Sequence, residues 1–303
     1  MTAAIVVASF RARSIVRTPA GATLEAVTRS RRSDVAVGDR VRIAVAGPAQ
    51  AVIEAVAPRD NAFKRSDASR VKVLAANLAQ AAIVIAPRPA FSEETLLRVL
   101  IEAEVESIPI ALIVNKSDLA DERARIEPRV AAYRALGYPV FECAARVDCA
   151  RARETLLPWL AGRTTLLLGE SGMGKSTLVN CLVPDAGLRT REISEALGAG
   201  RHTTTFTRCF ALPADASTLV IDSPGFQNFG LHHVSDSQRM HAMREFVPLL
   251  GSCRYNNCTH RDEPACAVRE AAQAGRIDRT RYLLYARLVE EAQAFARAHP
   301  GRG

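Results

Sequence analysis

At 303 residues, 48% hydrophobic and 24% charged, the chain is long enough for two or three domains and has a folded globular composition. Its longest apolar runs, 81–86 and 108–114, reach about a third of the roughly 20 residues a bilayer crossing needs, which excludes a helical membrane protein. The net charge of +8 divides as +6 over 1–70, −1 over 71–240 and +3 over 241–303, so two basic ends suited to phosphate backbones flank a near-neutral middle.

The apolar segment 3–10 is followed, not preceded, by basic residues, so no secretory signal is expected and the address by elimination is cytoplasmic. Short β-branched runs at 5–7, 23–27, 39–45 and 52–56 alternate with Gly, Pro and Asp turns, which predicts a small OB-like β-barrel. From residue 71 the pattern becomes β/α. Strands are expected at 82–86, 110–114, 139–142 and 164–168, with helices at 92–107, 122–136 and 151–160 between them. Such alternation implies a mostly parallel sheet with helices on both faces. A short helix follows Gly169, then about 20 polar residues, then strands at 206–212 and 218–221. The last 60 or so residues read as helical around a cysteine cluster, with Ile277, Leu284, Leu288 and Phe295 on one apolar face.

Four segments carry chemistry. Gly169, Glu170, Ser171, Gly172, Met173, Gly174, Lys175 and Ser176 form a Walker A stretch directly after a strand, and Ser176 and Thr177 open a helix. Its backbone N–H groups and the helix dipole suit phosphates; Lys175 reaches the β- and γ-phosphates and Ser176 ligates magnesium. Asn115, Lys116, Ser117 and Asp118 follow the strand at 110–114. A carboxylate at Asp118 accepts from guanine N1–H and the 2-amino group, a pairing adenine cannot make. Asn115 ties the loop and the Lys116 stem lies along the base. Asp222, Ser223, Pro224 and Gly225 end another strand, with Asp222 toward magnesium and the Gly225 N–H toward the γ-phosphate. In the polar segment, Thr204, with Thr203 and Thr205 as alternatives, completes the magnesium shell.

Conventional GTPases run Walker A, switch threonine, Asp-x-x-Gly, Asn-Lys-x-Asp. Here Asn-Lys-x-Asp, and the guanine loop in which the Ala144 N–H meets guanine O6, precede Walker A, so the domain is circularly permuted. Phe226 stands where a water-orienting glutamine often sits, which makes slow intrinsic hydrolysis the expectation. His202 is the local candidate to position water and Arg201 to neutralise charge.

Seven cysteines, an odd number, argue against a disulfide framework. Cys253, Cys258, His260 and Cys266 form a closed Cys3His set suited to structural zinc; Cys143, Cys149, Cys181 and Cys209 are assigned to packing.

The permuted order, the barrel and the Cys3His cluster together resemble the RsgA family of small-ribosomal-subunit biogenesis GTPases, also called YjeQ or YloQ. Val37-Gly38-Asp39-Arg40-Val41, Pro58-Arg59, Ala75-Ala76-Asn77, Pro224-Gly225-Phe226 and Arg281-Tyr282-x-x-Tyr285 add to the resemblance, which spans nearly the whole chain. It implies an OB-fold RNA-binding domain (1–66), a permuted P-loop GTPase (67–230) and a helical zinc domain (231–303). The implied activity is GTP hydrolysis to GDP and phosphate, stimulated by the small subunit, late in that subunit's maturation and in release of assembly factors. Zn2+ and Mg2+ are the implied cofactors, and ribosomal RNA, the small subunit and GTP or GDP the partners of a monomer that binds no membrane. Cys143-Ala144 replaces the usual Ser-Ala, Asp-Ser-Pro-Gly the usual Asp-Thr-Pro-Gly, and 145–163 lacks the usual glycines, which moves the expected helix start. The competing readings are an RNA-binding scaffold with nucleotide as a structural ligand and a permuted GTPase of the large subunit; an ATP-dependent kinase is disfavoured by Asp118.

Overall fold

The computed structural model describes residues 2–10, 13–28, 34–67, 70–188, 206–226 and 228–299. Strands β1 (Thr2–Ser9), β2 (Ser14–Arg17), β3 (Thr23–Thr28), β4 (Arg40–Gly47) and β5 (Gln50–Val56) pair in the order β1-β2-β3-β5-β4, and β4 returns to β1 to close a barrel. Alternate side chains point inward, as the strand period requires. Ala4, Val6, Val16, Leu24, Ala26, Val41, Ile43, Ala51 and Ile53 fill the interior as a core of their own. Register shifts at Val6/Ala8, Arg42/Ile43 and Val45/Gly47 mark the bulges that let so few strands curl shut.

Outside the barrel, β6 (Ala62–Ser66) and β7 (Val71–Ala76) form a hairpin that the sequence pattern did not reveal. Next come β8 (Gln80–Ile85), α1 (Glu93–Val105), β9 (Ile110–Val114), α2 (Ala120–Ala135), β10 (Val140–Glu142), α3 (Cys149–Leu160), β11 (Thr164–Leu168), α4 (Lys175–Leu182), β12 (Arg208–Leu212) and β13 (Asp215–Asp222). The sheet order is β10-β9-β8-β11-β13-β12, parallel except for β12. Strands β8 and β9 are buried on both faces, which is why they read as unbroken apolar runs. One antiparallel pair, Ala8 with Arg208, continues the sheet into β1. Beyond β13 lie α5 (Asp236–His241), a 3-10 turn (Val247–Leu249), α6 (Ala267–Gln273) and α7 (Arg279–Ala298).

Two expectations change. Helix α3 starts at Cys149, capped by the Asp148 carboxylate, and Cys149 there is disulfide-bonded to Cys181 near the end of α4. Counting cysteines by parity could not foresee a bond that only the packing of α3 on α4 brings about. On α7, Leu284 and Leu288 are buried with Ile277, as the periodicity predicts, but Phe295 is half-buried and stacks on His232 and His299.

The three short stretches Val37–Val41, Pro58-Arg59 and Ala75–Asn77 prove to be one junction. Asp39, fully buried, accepts from Arg59 Nε at 2.7 Å and from the Ala36 N–H at 2.8 Å. Asn77 Nδ2 donates to the Gly38 carbonyl, and its Oδ1 accepts from Arg40. Gly38 has φ +90°, and a Cβ there would stand 2.1 Å from the Ala76 carbonyl oxygen. Both the backbone conformation and the contact demand glycine. Gly38→Ala is therefore expected to lower unfolding stability by at least about 2 kcal/mol, read as a shift of the urea midpoint.

Candidate functional site

The loop 169–174 joins β11 to α4, at the carboxyl end of the sheet where open α/β folds bind ligands. Gly174, the residue before α4, has φ +92°, and a Cβ on it would lie 2.2 Å from Asn115 Nδ2. Asn115 is buried; its Nδ2 donates to the Met173 carbonyl at 3.1 Å and its Oδ1 accepts from the Ala145 N–H at 3.2 Å. Lys116 Nζ donates to the Gly172 and Arg88 carbonyls, each at 2.8 Å. The loop after β9, the loop after β10 and the loop after β11 are thus clasped by one amide and one ammonium. Ser117 N–H donates to the Cys143 carbonyl, Ala144 is half-buried in the same loop, and the Asp118 side chain is exposed at the rim.

Lys175 is buried, and its Nζ donates to the carbonyls of Gly169 at 2.6 Å and Glu170 at 3.1 Å. Burial outweighs the pull of the Asp222 and Glu170 charges and brings its pKa down to about 8. A desolvated ammonium of this kind gains most from a nearby polyanion. Asp222, fully buried, ends β13, and the turn behind it rests on the phosphate loop: a Cβ on Gly225 would come within 3.1 Å of the Ser171 nitrogen and 3.3 Å of Lys175 Nζ. Glu170 points away from this centre and accepts from the Ser92 N–H at the start of α1. Ser171 is exposed, Gly172, Ser176 and Thr177 half-buried, and Met173 buried. Arg201, His202, Thr203, Thr204 and Thr205 lie outside the described residues. Phe226 turns into the core, its ring 5.3 Å from that of Phe229. The position of the missing glutamine therefore serves as a packing anchor for the segment after Gly225.

The second centre is the cluster Cys253, Cys258, His260 and Cys266, whose ligand atoms all lie within 4.8 Å of one another. His260 Nδ1 stands 3.5 Å from Cys253 Sγ and 3.6 Å from Cys266 Sγ. These are edge lengths of a tetrahedron with metal–sulfur bonds of about 2.3 Å and metal–nitrogen bonds of about 2.0 Å. Burial pushes the Cys258 thiol up to about 12, so a cation's charge is what would hold these sulfurs as thiolates. The residues fit a closed tetrahedral metal ion. The C-terminal Arg281-Tyr282-x-x-Tyr285 stretch explains itself here. Tyr285 Oη donates to the Thr259 carbonyl and Tyr282 Oη to the Arg261 carbonyl, while buried Arg281 pairs with Glu245. The sequence marked these residues as a resemblance; their work of holding the loop of the Cys3His cluster against α7 needed the structure.

The family model described as RsgA GTPase matches residues 56–232. A protein of Paraburkholderia xenovorans (strain LB400), named small ribosomal subunit biogenesis GTPase RsgA, is 50% identical over 280 residues, covering 91% of this chain and 89% of its own length. One of the same name from Burkholderia pseudomallei (strain K96243) is 49% identical over 277 residues, covering 91% and 88%. Among solved structures, YjeQ from Thermotoga maritima matches with a TM-score of 0.74 at 26% identity, over 96% of this chain and 98% of that one. YloQ, described as a circularly permuted GTPase, shares the fold with a TM-score of 0.69 at 22% identity, over 97% and 96%. In this chain too the Asn-Lys-x-Asp loop after β9 precedes the Walker A loop after β11, and with that order, that match and those identities the chain belongs to the RsgA family of GTPases.

Proposed function

We propose that this GTPase acts on the small ribosomal subunit, which stimulates its GTP hydrolysis, and that hydrolysis times its departure and that of assembly factors late in maturation. The observation that carries the site reading is the Asn115 clasp, which joins the base loop to the phosphate loop and to the loop after β10. In this reading the N–H groups of 169–174, with Ser176 and Thr177 behind them, receive the phosphates, and Lys175 leaves its carbonyl partners for the β- and γ-phosphates. Asp118 reads guanine, Ala144 N–H meets its O6, and Ser117 and Lys116 hold the rim. Ser176, Thr204 and Asp222 hold magnesium, which when bound with GTP neutralises charge developing on the phosphate oxygens. Gly225 N–H senses the γ-phosphate. With Phe226 committed to the core, His202 positions the attacking water and Arg201 offsets charge.

Cys253, Cys258, His260 and Cys266 hold a structural zinc ion, since four ligands leave no open position. The basic ends, +6 over 1–70 and +3 over 241–303, suit ribosomal RNA. The working units are 1–66, 67–230 and 231–303, in a cytoplasmic monomer that binds no membrane. Among the described residues no helix is long and apolar enough to cross a membrane. The relatives' printed names, which specify the small subunit, favour this over a large-subunit role.

Steady-state GTP hydrolysis is expected to rise with purified small subunits and not with large ones, and to fall about 100-fold or more in Lys175→Ala. No stimulation by either particle despite tight GTP binding would instead favour the scaffold. Excess ATP should leave bound labelled GTP in place, and Asp118→Ala should weaken GTP binding by about 100-fold in the same competition assay. Displacement by ATP would return the kinase reading. Elemental analysis should find zinc, and a strong chelator or Cys258→Ser should lower Tm by about 5 °C or more.

A further inference from the structure

The Cys149–Cys181 bond lies where the two halves of the nucleotide cradle run into helices. Cys149 is the first residue of α3, immediately after the loop whose Ala145 N–H is held by Asn115. Cys181 sits near the end of α4, the helix that starts at Lys175. Their Cα atoms are 5.6 Å apart, inside the range a disulfide spans without backbone movement. The bond therefore closes a ring: phosphate loop, α4, Cys181, Cys149, the loop after β10, Asn115, and back to the phosphate loop through the Met173 carbonyl. Without it the loop after β10 and α4 are joined through the hydrogen bonds of Asn115, Lys116 and Ser117 and the packing of α3 on α4.

We propose that Cys149 and Cys181 are a reversible oxidation site whose thiol state sets the rate of nucleotide release. The inference rests on the guanine-nucleotide reading above. Cytoplasmic disulfides are characteristically transient and redox-sensing, so a pair in contact beside a nucleotide site is suited to that use. Cys149 is half-exposed at a helix N-terminus, a position that favours thiolate, and Cys181 is buried behind it. The Cys149 thiolate attacks oxidised glutathione, forming a mixed disulfide and releasing one glutathione thiolate. The Cys181 thiol then loses its proton, attacks the Cys149 sulfur and expels the second glutathione. Two protein thiols are oxidised, one glutathione disulfide is reduced to two thiols, and the two protons pass to them through water. In the oxidised chain the loop after β10 is tied to α4 and cannot swing away from the phosphate loop by itself, so release slows.

The test uses the full chain with its metal, poised in glutathione buffers of stepped oxidation, with peptide mapping to read the 149–181 bond and a fluorescent GDP analogue to read release. Release from the oxidised chain should be slower by roughly 5-fold or more, the lower end of ordinary coupling between sites. Saturating GDP should, by reciprocity, shift the glutathione midpoint toward the disulfide by the factor by which oxidation tightens GDP binding. Cys149→Ser, at the half-exposed position, should bind the analogue as the reduced chain does and lose all response to the redox buffer. Absence of the 149–181 peptide in excess oxidised glutathione, or equal release and an unmoved midpoint with the bond formed, overturns the proposal. Failure of the analogue to bind in either state overturns the nucleotide reading and the coupling with it, while peptide mapping still reports the bond separately.

Discussion

Helix α1 is where the molecule is held together, and it does so with charge inside its core. Nine consecutive residues, Thr95 to Ala103, are buried, and two of them are Arg98 and Glu102. The Glu102 carboxylate, fully buried, accepts from the Lys64 N–H on β6 at 2.9 Å and pairs with His233 Nε2 at 2.8 Å. Arg98 reaches Glu291 on α7, Glu94 one turn back, and the Phe229 carbonyl. A buried charge stripped of its partners costs several kcal/mol, so each of these elements is obliged to meet α1 at one place. Glu93 adds Arg129 and Tyr133 of α2, Glu104 adds Arg244, and Ser92 at the cap donates to Glu170 of the phosphate loop. One helix thereby sets the positions of the phosphate loop, the hairpin, the segment after Gly225 and the C-terminal helix.

This explains which parts of the molecule the sequence disclosed. The Walker A loop, the Asn-Lys-x-Asp loop and the Cys3His cluster stand out in the sequence because each is a short motif of given residue types at close spacing, and the structure brings the members of each together. The helix over 92–107 was legible as well, but the use of its charges was not. Nothing local marks Arg98 and Glu102 as interior, because charged residues are seldom fully buried. Only distant elements, up to 193 residues away for Glu291, tell otherwise. The same holds for Cys149 and Cys181, separated by 32 positions, and for the β6–β7 hairpin. The polar residues of that hairpin dilute the alternation that betrays a strand.

Circular permutation gives the segment after Gly225 its significance. In this chain order β13 does not lead back into the sheet but runs through Phe226 and Phe229 toward α5 and the metal loop. Phe226 and Phe229 pack on each other, Phe63 of β6 lies 6.0 Å from Phe229, and Arg98 bonds the Phe229 carbonyl. A rearrangement at Gly225, 3.3 Å from Lys175 Nζ by its virtual Cβ, would be felt through backbone and packed rings within a few residues. An aromatic anchor at 226 suits this route better than a polar side chain, at the cost of the water-orienting group.

The two ends of the chain are attached by different physics. The buried apolar residues of the sheet, α1, α6 and α7 form one continuous cluster that includes Cys258, Cys266, Tyr285 and Leu288. The C-terminal segment therefore shares a core with the nucleotide-binding sheet, and separating them would expose apolar surface along its length. The barrel keeps its own core. Its attachment combines the Asp39–Arg59 pair and the Gly38 and Asn77 contacts with Val37 set into the core of the sheet, the Phe10–Phe206 ring contact and the pairing of β1 with β12. The C-terminal segment is thus joined to the sheet by a shared core, and the barrel by a junction of mixed polar and apolar contacts beside a core of its own.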